Sequence, residues 1–446
     1  MKAALGVATL VVGCCACSGS PADPKRNVQP PATASSDPSA TPGVPSPAQL
    51  VRVLATHATV PALELTRREA ADLVAGRIKD WPRLGRPASR LSLVRSVDAL
   101  ERDPNAVGWV PIDDVGPTVQ VATVAGKDVI RDDPRATSVT VVGDVMLVRG
   151  VPDAATALQP FARQLRDADL AVGNLESTLS RNGAPTQGGD SFGATPALLG
   201  PLASAGFDAL SLANNHAGDF GETALLETLA TLRRSPIEQF GAGRDVAGAS
   251  RPAILERNGV RFALIGFNAI GETPRAQAGT PGALSVRMPP RTGPFVKADL
   301  DRVTVAIGQA KRDADVVIVL PHWGTQYTHQ PEPIQRAVSR RLVAAGADLV
   351  VGGHPHWVQG VDLVRDVPVL HSLGNFVFDM DFMERTLEGV VLETTWWGDE
   401  LKQLRLVPYV MDTTAFAPRP VSGAVGEGIL DDVWSTSTGP YAPLGR

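Results

Sequence analysis

Past position 17 the chain has no cysteine, and the three it does contain are Cys14, Cys15 and Cys17. The body of the protein therefore holds no disulfide and no thiolate metal site. Charge of one sign is also scarce, since 42 Lys and Arg stand against 47 Asp and Glu for a formal net charge of -5. With no basic run either, the electrostatic footprint of a nucleic-acid binder is missing and nucleic acid is excluded as a partner. The apolar segment Ala3–Val12 falls well short of the roughly 20 residues that span a bilayer. Length, by contrast, is ample: 446 residues suffice for a sizeable core and for two domains.

The first residues combine Lys2 with that short apolar run, the pattern of a secretory signal. Val11-Val-Gly-Cys14 resembles a bacterial lipoprotein box, so residues 1–17 are expected to be a lipoprotein signal peptide. Cys14 is the candidate lipid anchor and Cys17 the second candidate. Residues 18–48 are rich in Pro, Ser, Ala, Thr and Gly with almost no large apolar side chain, a composition that cannot fold on itself. It reads as a tether that would hold an extracytoplasmic body off the cell membrane.

Globular patterning begins near residue 50. Thr66 followed by Glu69 is a capping box, which predicts a helix through Thr66–Ala75. The run Leu65–Trp81, with Gly108-Trp-Val-Pro111, resembles one lobe of the periplasmic phosphate-binding proteins. Only one lobe's worth of chain is present, so this small α/β domain, residues 50–134, is expected to dock or space rather than to clamp a ligand.

From Ser138 onward one pattern repeats: an apolar run of strand length stops at Gly or Asn, polar groups come next, and a helical segment begins. Val139-Thr-Val-Val-Gly-Asp144, Leu170-Ala-Val-Gly-Asn-Leu-Glu176, Ala209-Leu-Ser-Leu-Ala-Asn-Asn-His216, Val316-Val-Ile-Val-Leu-Pro-His322 and Leu349-Val-Val-Gly-Gly-His354 all conform to it. Continuous apolar strands between helices predict sheets covered on both faces. Ala154–Asp167, Gly221–Arg233 and Pro333–Ala345 supply helices at 3.6-residue spacing.

In such sheets ligands bind beyond the carboxyl ends of the strands. Those ends carry Asp144, Asn174, Glu176, Asn214, Asn215, His216, His322, His354 and His356. Singly, each has a plain structural reading as a turn cap, a satisfied core histidine or a surface group. Together, carboxylate, amide oxygen and imidazole from separate strand ends make a donor set suited to Mn, Fe or Zn, and less exclusively Mg. His354-Pro355-His356 delivers two imidazoles on a stiffened backbone. Without thiolates, an open site is favoured over a closed structural one.

The ordered set Gly143-Asp144, Gly173-Asn-Leu-Glu176, Ala213-Asn-Asn-His216, His322-Trp-Gly324, Gly353-His-Pro-His356 and Ser372-Leu-Gly-Asn-Phe376 resembles the CapA family. Its members are capsule-synthesis proteins associated with poly-gamma-glutamate and similar to calcineurin-like metallophosphoesterases. The resemblance covers residues 137–412 and implies a four-layer α/β/β/α sandwich. By motif, it implies Asp144 and His356 on a first divalent ion, Glu176 bridging, and Asn215, His322 and His354 on a second. His216 falls where the phosphoesterases place a general acid, and Arg149 in an anion-holding position, with a solvated loop charge as its plain alternative.

Three residues depart from that pattern. Met146 stands where the phosphoesterases carry the histidine of Asp-x-His, Glu176 replaces a bridging aspartate, and Gln326 stands where a Glu precedes Tyr. One ion or two is therefore open. Residues 413–446, rich in Pro, Ser and Gly, are expected to be a loose tail. Three functions compete: synthesis, export or attachment of an anionic envelope polymer such as poly-gamma-glutamate, alongside a membrane polymer-synthase complex; a metal-dependent phosphoesterase on an envelope substrate; and a non-catalytic scaffold for polymer export.

Overall fold

The computed structural model describes residues 51–86 and 89–443. The signal segment, Cys14 and the tether expected over residues 18–48 lie outside the described residues. Among those described, no helix is long and apolar enough to cross a membrane.

The first part of the described chain builds a four-stranded sheet in the order Ser92–Val94, Ala106–Pro111, Arg52–His57, Val119–Val121. Its helix Arg67–Val74 starts where the capping box puts it: Thr66 Oγ1 accepts from Glu69 N at 3.2 Å, and Glu69 Oε2 accepts from Thr66 N at 2.8 Å. This sheet is bonded directly to the larger body beyond residue 136. Gln120 Nε2 donates to Leu404 O at 2.6 Å, and Trp397 reaches across to donate from Nε1 to Ile130 O at 2.9 Å. Trp397 is buried in the apolar cluster of Val53, Ala55, Val110 and Val121.

Two larger sheets form the rest. One runs Glu238–Phe240, Ala209–Ser211, Leu170–Leu175, Ala136–Val145, Glu388–Trp397, Glu400–Met411, Pro418–Pro420, with Asn375–Val377 also paired to Ala136–Val145. The other runs Ala253–Arg257, Val260–Asn268, Val316–His322, Leu349–Val351, Val367–Leu370, Val361–Val364. Side chains alternate across each strand, and in the strand Ala136–Val145 a register shift between Val141 and Asp144 changes the phase for the residues after it. Val139 and Val141 pack with Phe262, Leu264, Ile318 and Leu349 of the second sheet, while Val142 and Val145 pack with Phe161 and Leu165 of the helix Ala154–Asp167. On the far side, the helices Lys297–Asp313 and Pro333–Ala344 cover the second sheet through Leu300, Val303, Ile307, Val338 and Leu342. Helices, sheet, sheet, helices: this is the four-layer α/β/β/α sandwich that the resemblance implies.

The end of the chain corrects the composition-based expectation. Past Asp412 it forms the strand Pro418–Pro420 and the helix Gly423–Ser435, not a loose tail. Ile429, Val433 and Trp434 of that helix are buried in the cluster between the sheets, with Trp434 stacked on Tyr441 at 6.2 Å. Apolar residues at helical spacing outweigh the local glycine content.

Candidate metal centre

The parallel strands of both sheets end on one rim, which sets where the polar residues fall. Asp144 is the next-to-last residue of its strand and pairs in register with Asn174 on one side and Asn375 on the other. His322 ends its strand and bridges to Gly353, just past the end of the strand Leu349–Val351. The strand at Gly143 and the turn at Gly374 come close because Gly143 lacks a side chain: a Cβ there would lie 1.9 Å from Gly374 O. His354 and His356 hold backbone φ of 96° and 61°, unusual for non-glycine residues and costly unless the surroundings enforce them.

The rim brings the expected donors together. Single donor atoms of Asp144, Glu176 and His322 lie within 4.8 Å of one another, and all three residues are buried. His322 Nε2 is 2.9 Å from Asn215 Oδ1 and 3.4 Å from Glu176 Oε1. His356 Nδ1 is 3.8 Å from Asp144 Oδ2 and 2.8 Å from Asn375 Oδ1. The His354 ring lies 4.9 Å from His322 and 5.6 Å from His356, and its backbone N–H donates to Asp144 Oδ2 at 3.0 Å. Asn174 Nδ2 donates to Asp144 Oδ1 at 2.8 Å and Glu176 Oε1 at 3.1 Å, while its Oδ1 accepts from Asn214 Nδ2 at 2.9 Å.

The unsatisfied atoms bear on whether a cation fits. Both ring nitrogens of His354 and Oε2 of Glu176 are buried without a hydrogen-bond partner, a costly arrangement for polar atoms. Burial pushes the carboxyl of Glu176 well above the usual range, and the neighbouring Asp144 pushes it further. Burial likewise holds His322 and His354 well below the usual imidazole range, with the other imidazoles adding to the effect. The neutral His354 imidazole with its free lone pair, beside two carboxylates that repel each other, fits a divalent cation, which needs unprotonated donors and relieves the repulsion.

His216 and Arg149 sit just outside this cluster. His216 Nδ1 is 2.8 Å from Asp219 Oδ2, and its Nε2 is 2.9 Å from Asn215 Nδ2 and 3.9 Å from Glu176 Oε2. Its ring stacks on Phe192 at 3.9 Å, and the Arg149 guanidinium lies 4.4 Å over that same phenyl ring. Arg149 is bound to Asp379 through two nitrogens and lies 3.6 Å from Asp190, so it stands at the mouth of the site and does not reach into it. Met146 is fully buried in the helix-side core, so the position that carries an imidazole in the phosphoesterases contributes no donor. Asp219, Phe192 and Asp379 were not evident from strand-end patterning. The one available signal was the i, i+3 spacing of His216 and Asp219.

Fold and site together define an α/β/β/α sandwich with a buried imidazole and carboxylate cluster at its strand ends. The family model described as "Bacterial capsule synthesis protein PGA_cap" matches residues 138–380, and the chain belongs to that family. The "Capsule biosynthesis protein CapA" of Bacillus anthracis is 29% identical over 299 residues, 65% of this chain and 70% of the relative. The "PGA biosynthesis protein CapA" of Bacillus subtilis (strain 168) is 30% identical over 266 residues, 57% of this chain and 67% of the relative. A crystal structure of a hypothetical protein from Thermus thermophilus aligns with 61% of this chain and 99% of its own, at 18% identity and a TM-score of 0.39.

Proposed function

We propose that this protein works at the cell envelope in the synthesis, export or attachment of an anionic capsule polymer of the poly-gamma-glutamate type, through a metal-dependent hydrolytic or transfer centre at the strand ends. In this reading it is held outside the cytoplasm by lipid on Cys14, beside a membrane polymer-synthase complex. The observation that carries the proposal is the buried His354 ring with both nitrogens unpartnered, facing the Asp144, Glu176 and His322 cluster.

Asp144, Glu176, Asn215, His322, His354 and His356 would hold one or two divalent ions (Mn, Fe, Zn or Mg). When bound, the ion supplies Lewis acidity toward a carbonyl or phosphoryl oxygen. The remaining work falls to the chain's own groups. Asp219 fixes the His216 proton on Nδ1 and stabilises the imidazolium, which leaves Nε2 to pass a proton to a departing group. For a polymer amide, His216 Nε2 would take one proton from the water that adds to the carbonyl carbon and, as the C–N bond breaks, hand that proton to the amine that leaves. Arg149 at the mouth is matched by Asp379 and Asp190, so it orders the entrance without adding net positive charge there.

A phosphoesterase reading is the alternative, favoured by the retained Asn215-His216 and His354-Pro355-His356 pairs. Metal analysis of the folded protein is expected to find a bound transition metal, with cleavage of poly-gamma-glutamate that His322→Ala abolishes. Folded protein free of metal would leave a scaffold only. Phosphodiester turnover lost in Asn215→Ala, with no action on the polymer, would transfer the site to the phosphoesterase reading.

A further inference from the structure

Away from the metal cluster, three arginines converge on a single buried aspartate. Arg275 Nη2 and Arg302 Nη1 donate to Asp299 Oδ1 at 2.6 and 2.9 Å, and Arg287 Nε donates to Oδ2 at 2.9 Å. The Asp299 side chain is 2% exposed, whereas those of Arg275, Arg287 and Arg302 are 33%, 49% and 50% exposed. Three positive charges against one negative leave two uncompensated. Each guanidinium has five N–H donors and gives only one of them to Asp299, so most remain free. They line an open cleft of about 530 Å³ together with Gln277, Ala276 and Val246.

Anchoring alone does not account for the cluster. Arg275 and Arg287 tie the loop after strand Val260–Asn268 to the helix Lys297–Asp313, but Arg302 lies on the same helix as Asp299 and cross-links nothing. Burial by itself would raise the Asp299 carboxyl; the bonds from Arg275 and Arg287 overcome that and hold it far below the usual range. Asp299 is thus permanently charged and fixes the guanidiniums in place, with their outer faces toward the cleft. Forked guanidiniums of this kind suit a second carboxylate, which they bind bidentately.

The cluster also lies on the right rim. The helix Lys297–Asp313 leads into strand Val316–His322 and packs against it, so it begins at the end where that strand delivers His322. Gly218 N, two residues past His216, donates to Thr273 Oγ1 at 2.9 Å, and Thr273 is two residues before Arg275. One loop therefore separates the arginines from the proposed proton donor.

We propose that Arg275, Arg287 and Arg302 form a second binding site, which takes a side carboxylate of a polyglutamate chain whose backbone lies at the metal centre. This rests on the polymer reading above. A chain with one carboxylate per residue can engage both places at once, so the arginines set its direction and register.

The test is calorimetric titration of the full chain with gamma-linked hexaglutamate at low salt. Arg302→Gln is expected to weaken binding about threefold, and the Arg287→Gln/Arg302→Gln pair at least about tenfold. Arg302→Gln should leave thermal stability unchanged, and hexaglutamine should bind to none of the three proteins. Wild-type binding of hexaglutamate that both variants reproduce would overturn the arginine site and leave the polymer reading standing. No binding to the wild type would overturn both. Tighter binding of inorganic pyrophosphate than of hexaglutamate, lost in the paired variant, would overturn the carboxylate assignment in favour of phosphate.

Discussion

Gly353→Ala tests the site with a single methyl group. Gly353 adjoins His354 and has an ordinary backbone conformation, so alanine adds no backbone strain there. Its Cβ, however, would lie 2.6 Å from Asp144 Oδ1, about 0.8 Å inside ordinary contact at 3.4 Å. The backbone around it resists movement: Gly353 N donates to Pro321 O at 3.0 Å, and Gly353 O accepts from Trp323 N at 3.1 Å. The carboxylate must therefore yield, stretching the 2.8 Å bond from Asn174 or the 3.0 Å bond from His354 N. Losing one hydrogen bond to a buried charge costs about 1.5–3 kcal/mol, and displaced ligand geometry lowers metal affinity by about 10- to 100-fold. Manganese titration and denaturant unfolding of the variant measure the two effects. Gly428→Ala is the matched control, since nothing lies within 4 Å of a Cβ in that exposed helical position; it should gain about 0.5–1 kcal/mol. Gly353→Ala protein with wild-type stability and wild-type manganese affinity would refute the placement of Asp144 as a pinned ligand.

Three further outcomes depend on the packing and charge of named residues. Trp434→Ala removes a buried ring from the inter-sheet cluster and should cost about 3–5 kcal/mol in denaturant unfolding; a loss under about 1 kcal/mol would mean the last helix is not part of the folded body. Asp362 is buried, which raises its carboxyl, yet His371, Thr438 and Arg336 hold it down to about 2 against an ordinary 3.8. Because the folded value is the lower one, this stability is complete above about pH 4 and disappears as pH falls through about 2, with a size of about 2 kcal/mol. The gap in unfolding free energy between wild type and Asp362→Asn should therefore shrink between about pH 5 and about pH 2.5, and a gap that does not change with pH would count against it. Asp219→Asn should leave manganese affinity within about threefold while lowering polymer cleavage by about a hundredfold or more, because it releases the His216 tautomer without touching the metal cluster. Equal loss of both would place Asp219 in the metal's support instead.

The reach of each physical signal decides how much of this molecule is legible in its chain. Strand ends can be read because an apolar run must stop where its polar groups meet solvent or a ligand, and that puts Asp144, Glu176, Asn215, His322, His354 and His356 on one rim from sequence alone. Which of two sheets a strand joins is invisible to the same signal. Val139 and Val142 belong to one strand yet face different layers, and only pairing across hundreds of residues decides which layer each meets. Asp219 and Phe192 are hidden for a related reason: they act on His216 through a turn and a stacked ring, contacts that leave no periodic trace. The final helix escapes because composition averaged over residues 413–446 conceals Gly426, Ile429, Val433 and Trp434, whose spacing of three, four and one is that of a buried helical face. The most informative feature shows in neither pattern nor composition. His354 combines a strained backbone at φ 96° with two buried, unpartnered ring nitrogens, two separate costs borne by one residue. Stability alone would have removed both, by glycine at the backbone or by an apolar side chain in the core. Their persistence beside Asp144 and His322 is what a ligand-holding role explains and a packing role does not.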